Sequence, residues 1–76
     1  NNHVNNGQYI NIAMALMAQD EPELAGKPIR RVFAEYKKSA VMGDTFHPYT
    51  GYADGRYYVC LKDDNGNINV IVVFEI

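Results

Sequence analysis

Seventy-six residues carry seven Lys or Arg against nine Asp or Glu, a formal net charge of −2, with 47% hydrophobic residues. That balance excludes a chain too polar to collapse and one drawn to nucleic acid by bulk positive charge, and a domain this short buries only about 60% of its unfolded surface, so its core needs cover from a partner or a further segment. The single cysteine, Cys60, cannot close an internal disulfide and no N-x-S/T sequon is present, which fits a reducing cytoplasm better than a small secreted scaffold.

Taken in order, Asn1 to Gly7 reads as a loop, with Asn5 or Asn6 as the N-cap of a helix predicted from Gln8 to Ala18. From Tyr9 to Ala18 only Asn11 is polar, so this helix is apolar on nearly every side and should be buried. Its apolar run falls far short of the roughly 20 residues that cross a bilayer, and no basic stretch precedes it as in a signal peptide, so no membrane span is expected. Pro22, Gly26 and Pro28 break the following connection, which has room for a short turn around Pro22 to Leu24.

From Ile29 to Ala40 the pattern alternates. Val32, Ala34, Tyr36 and Ala40 share one face, and Arg31, Glu35, Lys37 and Ser39 lie largely on the other, as in a half-buried strand. Met42 to Asp44 supplies a turn, and Thr45 to Tyr52 is a second strand whose Pro48 and Gly51 suit an edge or a bulge. Asp54-Gly55 signals a two-residue hairpin, Arg56 to Lys62 a third strand, and Asp63 to Asn67 another turn. Ile68 to Ile76, apolar on both faces, should be an interior fourth strand. The elements give an α+β architecture: a four-stranded antiparallel meander curved around one central apolar helix, which meets the face holding Val32, Ala34 and Tyr36.

Asn1-x-His3, followed by Val4-Asn5-Asn6 and then Tyr9, resembles the N-x-H-V-N-N-x-x-Y signature of the acyl-acyl-carrier-protein thioesterases of the hotdog superfamily. Glu35-Tyr36-Lys37-Lys38 and Gly43-Asp44 resemble that family's later strand and the turn after it, so the likeness spans most of the chain. It implies a hotdog fold whose first strand is missing here, and it places a strand and an acidic residue just before Asn1. These residues are therefore expected to form a fragment of a longer protein, inactive and weakly folded alone.

Thioester hydrolysis needs a positioned water, a proton-handling group and donors aimed at the developing oxyanion. The resemblance assigns Asn1 and His3 to catalysis, and backbone N–H groups around Asn5, Asn6 and Gly7 can polarise the carbonyl. Without the resemblance, a His among Asn residues at a helix start is simply a cap. The family pattern has an Asp two residues before the Asn and a Glu where Ser39 stands. An alcohol with no adjacent base substitutes poorly for that carboxylate. Ala40 stands where plant members carry a Cys, and Cys60 falls on another strand.

Arg30, Arg31, Lys37 and Lys38 are candidates for contact with an acyl carrier protein or its phosphopantetheine phosphate, against the plainer reading of a solvated strand face. His47 precedes a proline without ligand-spaced partners and reads as a surface side chain, so no metal site is expected. Tyr49, Tyr52, Tyr57 and Tyr58 read as sheet packing rather than RNA stacking, given the net negative charge. Asp63 to Asn67 resembles a calcium loop in composition only, without the 12-residue spacing and terminal Glu. The function expected is release of fatty acids from acyl-acyl-carrier-protein thioesters, with no cofactor and with a second hotdog unit, in the same chain or as a homodimer. The alternative is a non-catalytic hotdog module for acyl-chain binding or dimerisation.

Overall fold

The computed structural model describes residues 6–38 and 43–76. Helix α1 runs over Asn6–Asp20, two residues longer at each end than the periodicity predicts. The expected turn is a 3-10 turn at Pro22–Leu24. Four strands follow: β1 at Arg31–Tyr36, β2 at His47–Ala53, β3 at Arg56–Lys62 and β4 at Ile68–Glu75. The third has the predicted bounds, and β4 is interior, as its apolar composition requires.

All neighbours are antiparallel and the order is β1-β4-β3-β2, which corrects the expected four-stranded meander. Strands β2, β3 and β4 do form successive hairpins, but β1 pairs with β4 at the far edge. The stretch 37–46 separates β1 from β2, long enough to carry the chain from one sheet edge to the other, whereas a tight turn would have forced them together. Strand β2 takes the opposite edge, where the missing N–H of Pro48 costs least.

The hairpin turn between β2 and β3 sits at Asp54 and Gly55, with φ of 53° and 74°. Positive φ at both central residues is the requirement of a type I′ turn, which Asp-Gly meets with little strain. The turn between β3 and β4 closes on Asp63. Its carbonyl accepts from the Gly66 N–H, and its carboxylate accepts from the N–H groups of Asn65 and Asn67.

Tyr57, Val59 and Leu61 of β3 and Val70, Val72 and Phe74 of β4 form the sheet side of the core. Tyr9, Ala13 and Met17 close it from α1, spaced four residues apart on one stripe, and Leu24 seals the end. Met14, Ala15 and Ala18 face outward, which corrects the expectation of a helix buried all round. In two layers only the stripe facing the sheet meets apolar partners, so composition overstates the burial of the rest.

Register pairs Val32 with Phe74, Ala34 with Val72 and Tyr36 with Val70, so the predicted residues do share the helix-side face. Yet Val32 and Tyr36 remain 43% exposed, because α1 lies over β3 and β4 and β1 is an edge. The tyrosines divide likewise. Tyr57 is core, whereas Tyr49, Tyr52 and Tyr58 are exposed, against the expectation that all four pack.

Candidate functional site

The N-terminal end of α1 is held against the sheet by aromatic rings. Tyr9, the last residue of the signature, is buried, with its ring centroid 5.9 Å from that of Tyr36 and 5.8 Å from that of Phe46, both tilted as aromatic pairs prefer. The Tyr36 hydroxyl also donates to the Asn6 carbonyl at 3.4 Å. Asn6 and Gly7 form the exposed first turn, where helix N–H groups lack intrahelical acceptors and the positive end of the dipole lies. That turn can present donors to a carbonyl or an anion.

Asn1, His3, Asn5 and Ser39 lie outside the described residues. The structure does bring together residues that flank them in sequence, since Asn6 meets Tyr36, three positions before Ser39. Strand β1 is fixed at this end by Asn69, whose carbonyl accepts from the N–H groups of Lys37 and Lys38. The Asn69 side chain, 2% exposed, donates through Nδ2 to the Lys38 carbonyl, and its Oδ1 has no partner among the described residues. Sequence reading missed Asn69, a polar residue in an apolar strand that marks a β-bulge at Leu61/Lys62.

The candidate carrier-binding cations do not form one patch. Arg30 and Arg31 stand at the start of β1 and Lys37 and Lys38 beyond its end, at least about 20 Å apart along the strand by the usual rise. Lys37 pairs with Glu35 at 3.0 Å, and Lys38 pairs with Asp63 at 2.6 Å. The Lys38 ammonium, with backbone donors from Asn67 and Asn65, holds the Asp63 carboxyl well below its usual range. Arg31 pairs with Glu75, as does Arg56, which the sequence did not single out. Glu75 holds the Arg56 guanidinium more firmly protonated than usual.

At the other end of α1, Asp20 accepts from the Tyr57 hydroxyl at 2.7 Å and from Thr50 at 2.8 Å. Both donors lower the Asp20 carboxyl below its usual value. Burial, then the bond to Asp20, pushes the Tyr57 phenol up to about 12. A phenol that holds its proton this firmly links helix to sheet and is a poor acid catalyst near neutrality. His47 is a surface side chain, as expected, but its Nε2 lies 2.6 Å from the Asp64 carboxylate, a partner that sequence spacing had not suggested. Among the described residues no group of His, Cys, Asp and Glu could hold a metal, and no helix is long and apolar enough to cross a membrane.

What these elements define is a small α+β domain, one α-helix packed on a four-stranded antiparallel sheet. No family model matches the chain, and neither a curated protein nor a solved structure matches it.

Proposed function

We propose that this chain is the thioester-hydrolysing part of an acyl-acyl-carrier-protein thioesterase with a hotdog fold. The observation that supports it most is the seating of the signature's Tyr9 between Tyr36 and Phe46, which fixes the start of α1 with its first turn open to solvent. The residues immediately before that turn are the Asn and His of the signature. In the chemistry proposed, Asn1 orients water or the thioester and His3 takes the water's proton as it adds to the carbonyl. N–H groups of Asn5 to Gly7 receive the oxyanion, and the C–S bond then breaks, the thiolate of the phosphopantetheine arm recovering the proton from the imidazole. No cofactor is needed.

The substrate side is an acyl carrier protein bearing its acyl group on phosphopantetheine. A second reading, a non-catalytic hotdog module that binds acyl chains or pairs with a second hotdog unit, draws on the apolar edge strand β1, where Val32, Phe33 and Tyr36 are each more than two-fifths exposed. Thiol release from acyl-acyl-carrier-protein separates the two. Turnover above the buffer rate supports hydrolysis, whereas retention of the acyl group with measurable binding supports the module.

A further inference from the structure

We infer that the hollow framed by Arg30, Arg31 and Arg56 is an anion site for a small phosphate-bearing molecule, independent of any thioester chemistry. Register puts Arg31, Glu75 and Arg56 in one row across β1, β4 and β3. They lie on the sheet face opposite α1, because their strand neighbours Val32, Phe74 and Tyr57 point to the core face. The Glu75 side chain is only 14% exposed, against 67% for Arg31 and 49% for Arg56.

Each Glu75 oxygen takes one guanidinium by its inner nitrogen: Oε1 lies 3.2 Å from Arg31 Nε, and Oε2 lies 3.1 Å from Arg56 Nε. A guanidinium has five N–H donors, so even with Nε held by Glu75, and with Tyr58 as a further neighbour of Arg56, each keeps terminal N–H donors for a second acceptor. Arg31 is restrained further by lying 5.6 Å over the Phe33 ring. Arg30 is brought to the rim by its backbone N–H, which donates to the Glu75 carbonyl at 2.7 Å.

The hollow is open, about 260 Å³, and is lined also by Asp54, Gly55 and Ile76. That is below the range usual for sites that enclose a drug-sized ligand, and it suits a phosphate group with the remainder of its molecule outside. Three guanidiniums stand against two carboxylates, Glu75 and Asp54, a local sum of +1 within a chain of net −2, which leaves −3 for the rest. Tetrahedral phosphate matches forked guanidinium donors better than it matches single ammonium points. Lys37 and Lys38 are moreover already engaged by carboxylates elsewhere.

The test is an NMR titration of the protein as it occurs in the cell with inorganic phosphate and with pyrophosphate, following the Arg Nε–Hε signals. Saturable shifts at Arg30, Arg31 and Arg56 are expected, tighter for pyrophosphate. Arg56→Gln should weaken binding about tenfold, as expected for loss of a charge-assisted contact, while Lys62→Gln at the other end of the same face leaves it unchanged. Asp54→Asn keeps a residue that tolerates the positive φ of the turn and removes a rim carboxylate, so it should tighten binding. Phosphoserine binding as tightly as pyrophosphate would assign the site to a modified protein instead of a small molecule. No saturable shift, or equal weakening by Lys62→Gln, would overturn the proposal.

Discussion

The Tyr57 hydroxyl donates to Asp20 Oδ2 at 2.7 Å, tying the last residue of α1 to the central strand β3. A carboxylate at a helix C-terminus faces the negative end of the dipole, an unfavourable placement that two hydroxyl donors, Tyr57 and Thr50, offset. Because the Tyr57 phenol is raised from 10.0 to about 12, its contribution is complete below pH 10 and is lost as pH rises through 12. Alkaline unfolding monitored by circular dichroism should steepen in that window. Tyr57→Phe should remain folded, melt several degrees lower at neutral pH, and lose the steep alkaline step.

Position in the sheet, more than apolarity, should govern the cost of truncation. Leu61 is fully buried beneath α1, and Leu61→Ala is expected to cost about 3 kcal/mol through lost transfer energy and a cavity. Val32→Ala, on the same face but at the exposed edge, should cost less than about 1 kcal/mol. Urea denaturation of both variants measures the difference, and equal losses would mean that β1 is as covered as β3.

Lys38 and Asp63 join the end of β1 to the turn after β3, with Asp63 depressed below its ordinary value of 3.8. A carboxyl lowered by folding stabilises the fold above that value and ceases to do so as pH falls below it. Lys38→Met should therefore be less stable than the parent at pH 7, and the two should converge as pH falls below about 4. A gap that stayed constant with pH would show that the ion pair contributes nothing.

Much of the fold was legible. The strand formers of Arg56 to Lys62 and the Asp54-Gly55 pair marked a hairpin, because β-branched and aromatic residues beside a dipeptide that accepts positive φ leave few alternatives. The strand order was not legible, because nothing local in β1 or β2 names its partner and only long-range pairing decides which edge each takes. Helix burial was overestimated from composition, since alanines and Met14 are tolerated on an outer face. Of the proposed site, Tyr9 and the first turn of α1 are described, and Tyr36 proved to be its neighbour across 27 residues of sequence. Pairings such as Glu75 with two arginines were invisible because they join residues on three different strands.

The central claim is that the residues leading into α1 hydrolyse a thioester, and the most direct measurement is fatty-acid release from acyl-acyl-carrier-protein by the parent chain and by His3→Ala. The assay is run beside circular dichroism, in the protein as it occurs in the cell. If His3 handles the proton, release by the folded variant falls by about 10²-fold or more, as is typical when a general acid–base group is removed. Release by a folded His3→Ala at the parent's rate, or none by the folded parent, would contradict the claim.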